Sequence, residues 1–290
     1  MNAKAANRIA DAIVIAVIFI ALLLCLAPFL HIFSISLSSN RAIMSGDVTI
    51  FPVEINFEAY KKVLQDITML RSMGFTVLLT ISFTLICMTM SIIAAYPLTK
   101  SYLWGKKFFM LLIVITMFFS GGIIPEYILI KELHLMNTMW ALILPAMISP
   151  FNLIILINFF QSIPSSLHES AEIDGASHFR VLWQIVIPLS MPVIATLSLF
   201  YAVSRWNGFM DTLFYITDPN LYPLQLKLYQ LVMNNMVNDL IQLEGTQLVQ
   251  FLPESLKAAS VMFATVPILL VYPWLQRYFV SGIMLGAVKG

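Results

Sequence analysis

Six stretches of this sequence stay apolar for about twenty residues or more, and that feature decides most of what the chain can become. They cover residues 9–35, 75–98, 108–130, 138–160, 183–204 and 256–275. A bilayer core about 30 Å thick needs roughly 20 apolar residues of helix to cross it. Inside it every backbone N–H and C=O must be satisfied by the segment itself, which favours helix. The composition points the same way: 60% of the 290 residues are hydrophobic and 11% are charged. A soluble domain carries about 25% charged residues, so a soluble enzyme is excluded. Disorder is excluded by the same apolar content. A net charge of +1 gives nucleic acid nothing to hold. The expectation is an all-α polytopic membrane protein, one domain over residues 1–290, with six transmembrane helices in the lipid bilayer.

Details of the chain fit six crossings. Trp104, Trp140, Trp183, Trp206 and Trp274 fall at or near the ends of the predicted spans, where an indole can sit between lipid and water. Lys4 and Arg8 precede the first span. That run is longer than the roughly 7–15 residues of a signal-peptide core and lacks an A-x-A site, so it reads as a retained span. With the N-terminus inside, Lys4, Arg8, Lys100, Lys106, Lys107, Arg180, Arg277 and Lys289 lie on the cytoplasmic side. Arg41, Lys61, Lys62, Arg71, Lys131, Arg205, Lys227 and Lys257 lie outside. The inside segments are shorter and denser in basic residues, the turn from Lys100 to Lys107 most of all, which favours N-in/C-in. Cys25 and Cys87 have no C-x-x-C partner and the four histidines no metal spacing, so no metal site is expected.

The spans also lack things. The second to sixth have no charged residue or histidine in their apolar cores. An ion-coupled transporter needs such ligands within the membrane. No G-x-x-x-x-G-K-[ST] phosphate loop is present either. The chain thus shows neither an ion relay nor an ATPase of its own, and uphill transport would draw energy from another chain.

The loop of residues 161–180 carries the most information. Pro164, then Ser166 with Glu169 three residues on, predicts a helix start with a capping box. The helix is expected over residues 167–174, with Gly175 stopping it in a left-handed conformation. A second short helix is expected from Ala176. Leu167, Ala171 and Asp174 fall on one face, and the small Ala171 and Ala176 permit close approach by another surface. By itself this is either a solvated helical hairpin or a docking element.

The string Glu169-Ser170-Ala171-Glu172-Ile173-Asp174-Gly175-Ala176, with Ile185-Val186-Ile187-Pro188 after it, resembles the EAA loop of ABC importer permeases. That pattern reads E-A-A-x-x-x-G, nine residues, then I-x-L-P. Ser170 stands for its first alanine and Ile187 for its leucine. Residues 201–209, the tail of residues 276–290, the stretch of residues 119–125, and the segments around Asn137 and Tyr222 are similar to maltose-type carbohydrate permeases. The sub-branch they look like serves complex polysaccharide products. The resemblance implies a type I importer transmembrane domain, half of a translocation pore in a bacterial plasma membrane. It implies a second related permease subunit, most simply in a heterodimer, two ATPase subunits that bind ATP and Mg, an extracellular sugar-binding protein and an oligosaccharide substrate. No cofactor is expected on this chain. The loop of about residues 162–182 would be the coupling element, with Glu169, Ala171, Glu172, Asp174, Gly175, Ala176 and Pro188 as its residues and no catalytic role. The cytoplasmic tail, residues 277–290, would reach toward the ATPases, and the long outer loop of about residues 205–255 would face the binding protein.

A sugar pathway needs hydrogen-bonding groups and aromatic faces in an apolar wall. Candidates are Ser120, Tyr127, Asn152, Asn158, Trp206 and Asn207, although for each amide helix–helix bonding is an alternative. Trp206 could equally anchor at the interface. Gly121-Gly122 before Pro125 should weaken the third span, as a hinge or for tight packing. The competing readings are a secondary sugar transporter without an ATPase, which needs an ion site, and an intramembrane enzyme, which needs a nucleophile–base or metal pair.

Overall fold

The computed structural model describes residues 3–243 and 253–287. All regular structure among them is helical: α1 (Ala3–Leu37), α2 (Asn40–Met44), α3 (Glu58–Gln65), α4 (Ile67–Thr99), α5 (Lys106–Phe118), α6 (Ile123–Glu132), α7 (Trp140–Ile143), α8 (Pro150–Ser162), α9 (Ser165–Ile173), α10 (His178–Val181), α11 (Ile187–Leu189), α12 (Met191–Asn207), α13 (Met210–Tyr215), α14 (Leu224–Leu243) and α15 (Glu254–Ala287). A π-helical turn, Leu182–Val186, joins α10 to α11, and a 3-10 turn, Pro219–Leu221, precedes α14.

Three helical stretches are long and apolar enough to cross a membrane unbroken: Asp11–Leu37, Ile67–Thr99 and Glu254–Val271. Three more candidates are bent pairs, α5 with α6 at 116°, α8 with α9 at 69°, and His178–Leu189 with α12 at 81°. The first, second and sixth predicted spans are therefore continuous, and the middle three are not.

Local sequence marks the interruptions within the third, fourth and fifth predicted spans. In the third, Gly122 adopts φ +85 and ψ 166, which only glycine enters without strain. A Cβ at Gly122 would meet nothing within 4 Å. The glycine therefore supplies backbone conformation; tight packing does not require it. The fourth span, expected over residues 138–160, is only α7, an unwound stretch of residues 144–149, and α8. Pro145 and Pro150 lack the N–H that a continuous helix needs, and Ser149 caps α8 afresh, its side chain accepting the Asn152 N–H. In the fifth, Pro188 leaves Gln184 without an α-helical donor. The preceding turn widens, so that Ile187 N–H bonds Leu182 C=O five residues back. The segment of residues 205–255, expected as a long outer loop, is largely helical where described, holding α13, the 3-10 turn and α14. The tail continues α15 as far as Ala287; residues 288–290 lie outside the described residues.

The chain divides into two compact units, Met1–Leu70 with Leu228–Pro267, and Arg71–Lys227 with Ile268–Gly290. In the first, Ser34 and Ser36 of α1, and Ser38 just beyond it, are buried. Ser34 Oγ donates to Ile50 C=O at 2.5 Å and Ser38 Oγ accepts Val53 N–H at 3.0 Å. Ser36 meets the Tyr60 hydroxyl at 2.8 Å. This serine face holds the segment between α2 and α3. A small cluster of Ala59, Val63 and Ala259 lies under Tyr60, Leu256 and Phe263. The second unit has the larger core: Leu79, Phe83 and Cys87 of α4, Leu142 of α7, Leu153 and Leu156 of α8, Val181 and Val186 of the α10–π segment, and Leu197 and Tyr201 of α12.

Candidate functional site

The second unit carries the hairpin made by α9 and α10. Helix α9 begins two residues earlier than the capping-box reading expects. Pro164 occupies the N-cap, with no side-chain cap bond. Ser166 is already inside the helix, so the Ser166–Glu169 box does not form. The other end is built as expected. Gly175 has φ +74, and the N–H groups of Gly175 and Ala176 bond back to Glu172 and Ala171 at 3.0 and 2.9 Å. That is the paired-bond pattern of a glycine C-cap. Ser177 then caps α10, accepting the Arg180 N–H at 3.4 Å.

These caps leave the side chains free to point outward. Glu169, Glu172 and Asp174 are exposed, and Ile173 and Phe179 are exposed by 86% and 71%. Ala171 differs from the expectation. It is buried in this chain's own core, so its small side chain brings α9 close to its own helices. Leu167 and Asp174, which share its helical face by spacing, are exposed. Ala176 is half-buried, and Pro188 is exposed on α11. Beside the hairpin the turn after α4 closes a recess of about 580 Å³ lined by Tyr102, Glu172, Gly175, Ala176, Ser177 and His178. Tyr102 Oη and His178 Nε2 lie 3.3 Å apart. Burial, and then the positive charge of Lys100, hold the His168 imidazole below its ordinary pKa, with Glu172 opposing.

The pathway candidates do not form one group. Ser120 is exposed and its Oγ accepts the Gly122 N–H at 3.2 Å, so it shapes the break between α5 and α6. Tyr127 is 36% exposed on α6. Asn152 is buried at the start of α8, whereas Asn158 on the same helix is exposed in this chain. Asn207 is exposed and donates to Val203 C=O of its own helix at 2.9 Å. Trp206 is buried, only 8% exposed, and its Nε1 lacks a hydrogen-bond partner among the described residues. It is neither an interfacial anchor nor an open aromatic platform here.

Beside Trp206 lies a cluster that the sequence reading did not foresee. Arg205, counted there among outer-loop bases, has a side chain only 4% exposed. Its guanidinium grips Asp211 through both carboxylate oxygens, at 2.5 and 2.9 Å. It also donates to the carbonyls of Leu142 and Gly208 at 3.2 and 3.1 Å. A Cβ on Gly208 would come within 2.9 Å of that guanidinium, so glycine is needed for this close approach. Tyr215 is hydrogen-bonded to Glu126. Burial first, and then the charges of Glu126 and Asp211, push its pKa up to about 12. Asn137, at φ +58, turns its Oδ1 to the N–H of Thr217 at 2.6 Å, the Thr217 hydroxyl at 3.0 Å and the N–H of Asp218 at 3.0 Å. An arginine at the edge of an apolar span, six residues before an aspartate, was the one available signal.

Broken apolar spans around a capped hairpin that presents acids and apolar side chains define a polytopic membrane permease. Residues 76–284 match the family described as binding-protein-dependent transport system inner membrane component. The chain belongs to that family and is a membrane permease of ABC transport. It is 43% identical over 265 residues to Protein LplC of Bacillus subtilis (strain 168), covering 91% of this chain and 89% of the relative. It is 39% identical over 287 residues to the polygalacturonan/rhamnogalacturonan transport system permease protein YtcP of the same organism, covering 98% and 99%. Its fold matches a chain in the crystal structure of a bacterial ABC transporter involved in the import of the acidic polysaccharide alginate. The TM-score is 0.85 at 30% identity, over 94% of this chain and 98% of the other.

Proposed function

We propose that this chain is one half of the pore of an ATP-driven oligosaccharide importer and that the α9–α10 hairpin is its contact with an ATPase. A second, related permease subunit completes the pore as a heterodimer. Two ATPase subunits bind ATP and Mg beneath it, and an extracellular binding protein delivers the sugar. The N- and C-termini lie on the cytoplasmic side. The chain itself performs no catalysis and holds no cofactor. The observation that carries this reading is the hairpin. Its backbone is closed by its own caps, while Glu169, Glu172, Asp174, Ile173 and Phe179 remain exposed. An apolar patch rimmed by charge fits a protein partner better than water.

In this scheme Glu169, Glu172 and Asp174 are surface contacts, Gly175 and Ala176 hold the turn, Ala171 seats the helix on its own core, and Pro188 shapes the segment that joins the hairpin to α12. Polysaccharides bearing carboxylates appear in the names of YtcP and of the alginate transporter, which supports an acidic, uronate-containing oligosaccharide as the substrate class. Ser120, Tyr127, Asn152, Asn158, Trp206 and Asn207 remain the pathway candidates, with rearrangement required to expose Asn152 and Trp206. The test is gentle purification of the tagged chain from its native membrane. A second permease and an ATPase should come with it. A single species that transports in liposomes without ATP would refute the proposal.

A further inference from the structure

The hydroxyl of Tyr201 joins three helices inside the second unit. Tyr201 is 3% exposed on α12. Its Oη lies 2.8 Å from Ser91 Oγ of α4 and accepts the Ser149 N–H at 3.1 Å. Ser149 is the N-cap of α8, and its own Oγ accepts the Asn152 N–H at 3.4 Å. The Tyr201 ring stands edge-on to Phe83 of α4, with centroids 6.1 Å apart. Phenylalanine would fill almost the same volume, so the hydroxyl is present for its bonds.

At its other end α12 follows the hairpin through the segment His178–Leu189 and the 81° bend. Ser190 at the bend is fully buried, yet its hydroxyl has no hydrogen-bond partner among the described residues. Neither the proline-widened turn nor Ser190 fastens that bend by a side-chain bond. The outer half of α12, by contrast, is bonded to α4 and α8.

We propose that Tyr201 is a positioning residue that carries movement of α12 to the start of α8, delivering displacement of the hairpin at Ser149 and Asn152. This rests on the coupling role proposed above and names the residue that conveys it. Ser149 is half-buried, and an amide left without its partner at such a site is costly. The start of α8 therefore follows Tyr201 Oη when α12 moves.

The test uses the complete transporter in liposomes, with uptake and ATP hydrolysis measured on the same vesicles. Tyr201→Phe should assemble and hydrolyse ATP, but consume about ten-fold more ATP per sugar imported, within the usual range of coupling between sites. Ser91→Ala, which keeps the bond to Ser149, should raise that ratio much less. An unchanged ratio in Tyr201→Phe, whatever its thermal stability, overturns the proposal. If Tyr201→Phe does not assemble, hydrogen exchange in the unaltered transporter decides. The Ser149 amide should stay protected through the ATP cycle, and protection lost on ATP binding overturns the proposal. Uptake by the unaltered complex without ATP would instead sink the coupling reading itself.

Discussion

The hairpin of α9 and α10 and the corner where α12 meets α13 are held by different physics. The hairpin is closed by its own backbone, through the bonds of Gly175 and Ala176 to Glu172 and Ala171 and the Ser177 cap. Its side chains are left free to meet something else. The corner spends its side chains internally. Arg205 binds Asp211 and two carbonyls, Tyr215 binds Glu126, and Asn137 gathers three donors. A surface that must dock needs a stiff backbone and spare side chains, whereas a corner beside an apolar interior turns most of its polar groups on one another, here leaving Arg205 Nε, Trp206 Nε1 and the Thr212 hydroxyl without a partner among the described residues.

That contrast can be broken at both ends. The largest effect is expected at the corner. Asp211→Ala leaves the Arg205 guanidinium buried without its carboxylate, and breaking a buried pair this way costs about 3 kcal/mol. The lower end of the usual range applies because the Asp211 side chain is 33% exposed. Thermal unfolding of the purified protein should show the loss, and an unchanged midpoint would mean that the pair does not hold the corner.

Gly175→Leu comes next. The residue at φ +74 would pay roughly 1–2 kcal/mol of backbone strain, but a Cβ there would meet nothing within 4 Å in this chain. Stability should fall slightly while ATP-dependent uptake or assembly is lost. Uptake at the original rate would show that no partner occupies that space. The smallest effect belongs to Ser177→Ala, which removes the α10 cap. With the capping contact already long at 3.4 Å, the cost should be about 0.5 kcal/mol, readable as a small drop in the unfolding midpoint with membrane insertion intact. A loss comparable to Asp211→Ala would contradict the view that backbone bonds carry the hairpin.

The same division explains what could be read from residues alone. Apolar runs announced the membrane class, and Gly175 announced the end of α9, because both signals are local. Gly121-Gly122 marked a weak point, and the structure turns it into a break of 116°. Ser166 misled because Pro164 starts the helix early enough to place Ser166 within its first turn. Ala171 was read as an outward contact because spacing fixes which residues share a face, and the tertiary fold decides where that face points. The partners of Arg205 and Tyr201 lie up to 63 and 110 residues away in sequence, and no periodicity encodes such a meeting. Trp206 looked interfacial by type and position, yet the same corner buries it.

The central claim is that the hairpin touches an ATPase, and cross-linking tests it most directly. Ile173 is 86% exposed on α9, so Ile173→Cys places a thiol on that surface. Treating the assembled, transporting complex with a short bifunctional thiol reagent should join this chain to the ATPase subunit, with a yield that changes when ATP is added. A complex that still imports sugar but never forms that cross-link, with or without ATP, would contradict the account.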